Sequence, residues 1–122
     1  MKQSEKEILA AAYVAFNKRD IDAVLALMST NVDWPKGFEG GRVHGHQEVR
    51  AYWTRQWALV DPHVDPVRIV PDDAGDWVVD VHQVVGDLSG KQLGDQMVQH
   101  VYSIRDGLIE RMEIRSPDGT SS

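Results

Sequence analysis

Side chains that can transfer protons occur at alternate positions in two segments that have the pattern of β-strands. One segment carries Asp80 and His82 between valines, and a second carries His100 and Tyr102 in the same way. Imidazole titrates near neutral pH and is the commonest general acid or base in enzymes. The four side chains therefore predict acid–base catalysis, provided that the fold brings them to one face of a sheet.

The pairing of these two segments decides whether the histidines meet. A hairpin centred near Lys91 places His82 opposite His100 and Asp80 opposite Tyr102. Opposed side chains on one face of a sheet have Cβ atoms about 5 Å apart. The pattern leaves two interpretations open: this face lines an interior site, or it is the solvated face and the valines form the core.

Helical periodicity covers the first part of the chain. Ser4 and Glu7 have the spacing of a capping box at the start of a first helix, and Asp20 caps a second, shorter helix. A third helix is predicted for residues 46–60, because apolar residues repeat there at intervals of three and four and Pro62 prevents its continuation.

The hydrophobic period changes from helical to alternating after the third helix. Strands are predicted at residues 64–70, 77–85, 96–105 and 108–115, with a shorter strand at 30–34. Helices that cover one face of a sheet give an α+β fold. We expect three N-terminal helices packed on a strongly curved antiparallel sheet with an internal pocket. The whole forms one domain over residues 1–117, followed by a polar tail at 118–122.

Composition excludes several classes of function. The chain has 122 residues, no cysteine, and 13 Lys and Arg against 19 Asp and Glu, which gives a formal net charge of −6. Nucleic acids and anionic membranes bind basic surfaces, so neither is an expected partner. Without cysteine there are no disulfides and no thiol catalysis. We expect a cytoplasmic protein whose partner is a small molecule or another protein chain.

Four motifs follow one another over most of the chain: FNKRD at residues 16–20, VDWP at 32–35, GHQEVRAYW at 45–53 and RDGLI at 105–109. In their order and spacing the chain resembles the nuclear transport factor 2-like superfamily, in its SnoaL-like and ketosteroid-isomerase-like branch. The resemblance implies a cone of curved sheet with helices closing a deep apolar pocket. It also implies a homodimer formed through the outer face of the sheet.

The resemblance suggests roles for single residues. His100 falls where the isomerases keep a carboxylic acid that donates a hydrogen bond to the developing oxyanion. His82 falls on the pocket wall of the neighbouring strand, and Val98 and Met112 fall on pocket-lining positions. The resemblance thus favours an interior placement of both histidines.

The catalytic positions of the isomerases are nevertheless different in this chain. Trp34 stands where they have the general-base aspartate, with Asp33 one residue away and pointing elsewhere. Ala12 stands where they have the oxyanion tyrosine, with Tyr13 adjacent. Steroid isomerisation is therefore not expected. The SnoaL-like polyketide cyclases are more similar, because they close a ring by an aldol reaction with an acid or base carried on a strand and a neighbouring histidine.

These observations predict an enzyme that moves a proton at the carbon next to the carbonyl group of a small apolar compound. His100 would act as acid, base or oxyanion donor with His82 as its partner, and Asp80 or Tyr102 would assist. The residues expected to line the cavity are Trp34, Trp57, Val84, Val98, Met112 and Glu110. Burial would raise the pKa of Glu110, which makes it a further candidate base.

The alternative is a non-catalytic module of the same fold that binds a small ligand or dimerises. The loss of the isomerase residues favours this alternative. The sequence has no phosphate-binding or dinucleotide-binding motif, and we expect no cofactor. His44 and His46 with Glu48 suggest a metal site. However, a cupin-type site needs a carboxylate at position 50, which is Arg50, so no metal is expected.

Overall fold

The structure is a computed structural model that describes residues 4–37 and 40–116. In this part of the chain three helices and six strands follow in the order α1 (Glu5–Asn17), α2 (Ile21–Leu25), β1 (Met28–Pro35), β2 (Arg42–His44), α3 (Gly45–Trp57), β3 (Val60–Pro71), β4 (Trp77–Asp87), β5 (Gln92–Arg105) and β6 (Leu108–Arg115). The polar tail predicted at residues 118–122 lies outside the described residues.

The strands form one curved sheet in the order β2-β1-β6-β5-β4-β3. Neighbouring strands are antiparallel, except that β1 and β6 run parallel. The predicted α+β class is therefore confirmed. Two details of the prediction are wrong: α3 lies between β2 and β3, so the helices are not all N-terminal, and the sheet is not entirely antiparallel.

The predicted elements differ from the observed ones mainly at their ends. β6 covers the predicted residues 108–115, whereas β3 begins four residues earlier than predicted and shortens α3, which ends at Trp57. β2 is an element that the sequence analysis does not find, because glycines in the segment before it favour a loop. No helix in the described ranges is long and apolar enough to cross a membrane.

The first two helices begin with the caps that the sequence predicts. The Ser4 hydroxyl accepts a hydrogen bond from the Glu7 amide at 3.1 Å, and the Glu7 carboxylate accepts one from the Ser4 amide at 3.3 Å. The Asp20 carboxylate accepts from the amide of Ala23 at 3.2 Å. These bonds satisfy amides that have no partner within the helix and so fix where each helix begins.

The hydrophobic core lies between the helices and the concave face of the sheet. Its most enclosed members have 0% of their surface exposed and come from five elements: Leu9 of α1, Val32 of β1, Val49 of α3, Val79 and Val81 of β4, and Ile109 of β6. Full burial of such a side chain contributes about 1.5–3 kcal/mol. The helices are therefore held on one face of the sheet, and the other face is left to solvent.

The register of β4 and β5 differs from the predicted one. His82 pairs with Met97 and His100 pairs with Val79, so the expected opposition of the two histidines is wrong. The observed register is shifted by three positions from the predicted one. A shift by an odd number of positions moves a side chain to the other face of the sheet. His82 and His100 therefore lie on opposite faces.

A turn and a bulge set this register. The Asp87 carboxylate accepts hydrogen bonds from the amides of Ser89 and Lys91, at 2.9 Å each, which centres the turn near Ser89 rather than near Lys91. The turn alone would shift the pairing by four positions, and a bulge between Val85 and Gly86 shifts it back by one, which leaves the difference of three. Neither the turn nor the bulge can be predicted from the alternation of polar and apolar residues.

Asn17 joins the end of α1 to the edge strand β3. Its side-chain amide donates to the carbonyl of Val64 at 2.7 Å, and its side-chain oxygen accepts from the Val64 amide at 3.0 Å. Because β3 is at the edge of the sheet, the amide and carbonyl of Val64 have no neighbouring strand on the side that faces Asn17. The pair of bonds therefore positions α1 over the concave face.

Replacement of Asn17 by alanine is expected to lower the free energy of unfolding by about 1–3 kcal/mol, because two backbone groups lose their partners. Urea denaturation measures the change. The matched control is N31A, which removes the same side chain from an exposed position on β1 and should change stability by less than about 0.5 kcal/mol. Equal effects of the two substitutions would contradict the proposed role of Asn17.

Candidate active site

A cavity of about 880 Å³ lies between α1, α3 and the concave face of the sheet. Small-molecule sites have volumes of about 300–1,000 Å³. Its aromatic and polar lining residues include Tyr13 of α1, Trp34 of β1, Trp53 and Gln56 of α3, and His100 and Tyr102 of β5. Val98 and Met112 also lie in the lining.

A chain of hydrogen bonds connects three buried side chains in this cavity. The Tyr102 hydroxyl donates to the Tyr13 hydroxyl at 2.9 Å, and the Tyr13 hydroxyl lies 2.7 Å from Nδ1 of His100. The Tyr13 and His100 rings also stack, with centroids 5.9 Å apart and an angle of 11° between their planes. Since the Tyr13 oxygen accepts from Tyr102, its own proton is directed at Nδ1 of the imidazole.

This arrangement determines which nitrogen of His100 carries the proton. With Nδ1 accepting, the proton of the neutral ring is on Nε2. Nε2 has no hydrogen-bond partner within residues 4–37 and 40–116, and His100, only 6% exposed, lines the cavity. The imidazole can therefore donate a hydrogen bond from Nε2 to a ligand.

Burial keeps Tyr102, Tyr13 and His100, the three members of this hydrogen-bonded chain, neutral. Desolvation lowers the pKa of His100 to about 4, because the interior does not solvate an imidazolium ion. Desolvation also raises the pKa of Tyr13 and of Tyr102 above the usual range for phenols. At neutral pH the site thus offers hydrogen-bond donors and acceptors but no charge.

Aromatic side chains enclose the space next to His100. The Trp34 ring meets Trp53 edge-on with centroids 5.6 Å apart, and lies 6.2 Å from the ring of Tyr102. Gln56 donates to the Tyr52 hydroxyl at 3.3 Å, while its own oxygen is buried with no hydrogen-bond partner among the described residues. An unpaired buried acceptor costs about 1–3 kcal/mol, which a hydrogen-bond donor of a ligand would offset.

Three residues predicted for the site lie on the outer face of the sheet. His82 bonds through Nε2 to the Asp95 carboxylate at 2.7 Å, and Asp80 accepts a hydrogen bond from Gln99 at 2.9 Å. Val84 alternates with the inward-facing positions of β4 in the same way and is not part of the cavity lining. The prediction that these side chains face the cavity is wrong, because it depended on the register that the turn and bulge displace.

Glu110 and Trp57 also lie outside the cavity lining. A bulge between Ser103 and Ile104 turns Glu110 outward, where it borders a shallow depression that also contains Asp33. Trp57 stacks on the outer side of Trp53 at 5.8 Å between ring centroids. The prediction that both shape the cavity is wrong. Trp34 lies in the cavity lining.

Asp33 faces away from the cavity and is held by two arginines. It pairs with Arg42 of β2 and with Arg111 of β6. Partial burial raises the pKa of Asp33, but the hydrogen bond and charge of Arg42 and the charge of Arg111 outweigh burial, so the pKa is lowered overall. Asp33 is therefore an ionised structural group and does not serve the cavity as a base.

The histidines that suggested a metal site point to different partners. His46 bonds to the backbone carbonyl of Met28 at 3.0 Å, whereas His44 approaches Asp33 at 3.5 Å and Glu48 accepts from the His44 amide. Within the described part of the chain, no group of three or more histidine, aspartate or glutamate side chains could hold a metal ion.

A family model described as a SnoaL-like domain matches residues 9–112. The chain belongs to the SnoaL-like domain family. This confirms the resemblance to the nuclear transport factor 2-like superfamily. A search of curated proteins finds no match for this SnoaL-like domain.

Several solved structures share the fold of this SnoaL-like domain. TerC, co-crystallised with polyporic acid, is 25% identical with a TM-score of 0.80, over 93% of this chain and 92% of TerC. An NTF2-like protein of unknown function from Burkholderia pseudomallei is 23% identical with a TM-score of 0.80 over the same shares. A candidate polyketide cyclase from Xanthomonas campestris is 22% identical with a TM-score of 0.73, over 90% of this chain and 87% of that one.

The sequence analysis of this SnoaL-like domain misses the central member of the site. Tyr13 enters that analysis only as the neighbour of Ala12, yet it connects Tyr102 to His100. A usable signal exists: Tyr13 follows Leu9 by four residues on the buried stripe of α1, and a buried phenol needs a hydrogen-bond partner. Gln56 lies on the buried side of α3 and carries no comparable signal.

The depressed pKa of His100 predicts a pH-dependent stability of this SnoaL-like domain. Between its folded pKa of about 4 and the ordinary value of about 6.5, the unfolded chain binds the proton and the folded protein does not. The contribution of the neutral His100 to the free energy of unfolding is thus complete above pH 6.5 and is lost as the pH falls towards 4.

Relative to H100Q, the wild type is expected to lose roughly 2 kcal/mol of unfolding free energy between about pH 7 and pH 4.5. Urea denaturation at both pH values measures this difference. H63Q replaces an exposed histidine of β3 and should keep the loss seen in the wild type. The same loss in H100Q as in the wild type would contradict a buried neutral His100.

Proposed function

We propose that this SnoaL-like domain is an enzyme that transfers a proton at the carbon next to the carbonyl group of a small, largely apolar compound. The observation that carries the proposal is the buried chain from Tyr102 through Tyr13 to His100, which ends in the unpartnered Nε2 at the cavity. A preorganised neutral donor at a buried position of the cavity is suited to a developing oxyanion.

In the proposed reaction the carbonyl oxygen of the substrate accepts a hydrogen bond from Nε2 of His100. When the neighbouring C–H bond breaks, its electron pair forms the C=C bond of an enolate and negative charge gathers on that oxygen. The hydrogen bond strengthens as the charge grows, which lowers the barrier. The proton passes to water, since the one carboxylate among the described lining residues is Glu113, whose strand position faces away from His100.

Tyr13 and Tyr102 act as positioning residues in this proposal. Because Tyr13 donates to Nδ1, the ring keeps its proton on Nε2 and keeps its orientation. Tyr102 in turn orients the Tyr13 hydroxyl. The burial of both phenols keeps them protonated, so the direction of donation is maintained at neutral pH.

The comparisons support an aromatic carbonyl compound as the ligand class. TerC was co-crystallised with polyporic acid. The Xanthomonas campestris protein is named as a candidate polyketide cyclase. Trp34, Trp53 and Tyr102 of this chain supply aromatic surface around His100 that would contact such a ligand.

A second candidate function is the binding of such a ligand without turnover. It is favoured by the chemistry of the lining, because the described residues near His100 include no carboxylate that could remove a proton. Self-association through the outer face of the sheet stays a prediction. The exposed apolar side chain of Met97, whose strand position opposite His82 is on that face, supports it.

The proposed reaction predicts solvent exchange of the methyl protons of 2-acetylnaphthalene, an aromatic methyl ketone. In D₂O, NMR should show faster deuteration with the wild type than without protein. H100A is expected to lower the rate about 10²–10³-fold, as for the loss of one oxyanion donor. Y13F, which keeps the ring and removes the hydroxyl, is expected to lower it about tenfold, because the Nε2 proton is no longer fixed.

The control is H63A, which removes an exposed histidine and should leave exchange unchanged. Calorimetry confirms that each variant still binds the ketone. Exchange by H100A at the wild-type rate would overturn the proposal. Binding by the wild type without any exchange would favour the second candidate function instead.

A further inference from the structure

Glutamine side chains line the cavity at a distance from His100. Gln83 of β4 and Gln96 of β5 pair directly with each other, and Val64 of β3 pairs with Gln83. All three residues belong to the cavity lining. Because the three strands are neighbours in the sheet, these residues form one row across its concave face. The row carries no charge, and each amide can both donate and accept hydrogen bonds.

The separation of this row from His100 gives the length of a suitable ligand. Gln96 and His100 are four residues apart on β5, which corresponds to about 13 Å along a strand. An even number of residues separates them, so both side chains are on the same face of the strand. Val98 lies between them in the lining. A ligand that spans this distance meets an uncharged donor at His100, then apolar surface, and then uncharged amides.

Gln56 of α3 approaches the same row from the side of the helices. Phe16 of α1 packs against Trp53, one helical turn before Gln56, with ring centroids 5.4 Å apart. Asn17, the residue after Phe16, holds the backbone of Val64 through two hydrogen bonds. The end of α1 therefore contacts α3 near Gln56 and β3 at the row. Gln56 itself belongs to the cavity lining.

The amide of Gln56 is buried with its oxygen unpaired. Its nitrogen donates to the Tyr52 hydroxyl at 3.3 Å, whereas its oxygen has no hydrogen-bond partner among the described residues. Only 8% of Gln56 is exposed, so the unpaired acceptor costs free energy. The oxygen is covered in this structure, so the amide has to rotate towards the cavity to meet a ligand. The gain of a partner favours that rotation when the ligand offers a hydrogen-bond donor.

We infer that the natural substrate carries an uncharged hydrogen-bond donor, such as a phenolic hydroxyl, at the end remote from the reacting carbonyl group. Gln56 accepts the hydrogen bond of this hydroxyl, and Gln83 and Gln96 supply further uncharged partners beside it. This inference rests on the proposed function for the carbonyl end. It adds Gln56 as the residue that selects the group at the other end.

The test compares 6-acetyl-2-naphthol with 2-acetyl-6-methylnaphthalene, in which a methyl group of similar size replaces the hydroxyl. Calorimetry at about pH 7, well below the pKa of a phenol, should show that the wild type binds the naphthol about tenfold more tightly. The methyl group is the more apolar of the two, so burial of apolar surface alone predicts the opposite preference.

Q56M keeps the length of the side chain and removes its amide. It should weaken binding of the naphthol about tenfold and change the affinity for the methyl compound less than about twofold. The matched control is Q47M, which removes the amide of an exposed glutamine on the same helix and should change neither affinity.

Urea denaturation of Q56M distinguishes ligand selection from a structural role of Gln56. The variant should be at least as stable as the wild type, because it removes an unpaired buried acceptor. A lower stability of Q56M together with an intact preference for the hydroxyl would show that Gln56 is structural and would overturn the inference.

Equal affinity of the wild type for the two compounds would overturn the inference as well, and so would binding of neither. Deuteration of the acetyl methyl group in D₂O separates this inference from the proposed function. If the wild type exchanges these protons and shows no preference for the hydroxyl, the inference fails and the proposed proton transfer stands. A preference for the hydroxyl without any exchange supports the inference and contradicts the proton transfer.

Discussion

The burial of an uncharged imidazole is the constraint on which the rest of the site depends. An imidazolium ion enclosed among apolar and aromatic groups would lose its hydration, so His100 stays neutral and needs a partner for Nδ1. Tyr13 supplies that partner from α1. The position of α1 depends in turn on its buried stripe and on the bonds between Asn17 and the edge strand. A contact at the edge of the sheet thus helps to position the hydroxyl that orients the histidine.

Ion pairs and the buried hydrogen-bonded side chains are separated in this fold. The hydrogen-bonded chain around His100 is neutral and enclosed, whereas Asp33, Arg42 and Arg111 form ion pairs on the outer side of β1, β2 and β6. Such pairs contribute little to stability where solvent screens them. They do hold the Asp33 carboxylate away from the cavity. A ligand in the cavity would therefore meet aromatic surface and the uncharged imidazole of His100.

The fold could be predicted from the sequence further than the site. The Ser4–Glu7 capping box and the last strand are local signals, and the structure has both. The inward position of His100 also follows from the family resemblance. The register of His82 could not be predicted, because valines occur on both faces of β4, so hydrophobicity favours neither pairing. The hydrogen bonds of Asp87 and one bulge decide it, and these are local geometry rather than pattern.

The most direct test of this account is the protonation state of His100, measured by NMR of a ¹⁵N-histidine-labelled sample between about pH 5 and 8. Assignment by comparison with H100Q identifies its signals. The account predicts an imidazole that stays neutral over this range, with the proton on Nε2 and with Nδ1 as a hydrogen-bond acceptor. A titration midpoint near the ordinary value of about 6.5, or a proton on Nδ1 in the neutral ring, would contradict it.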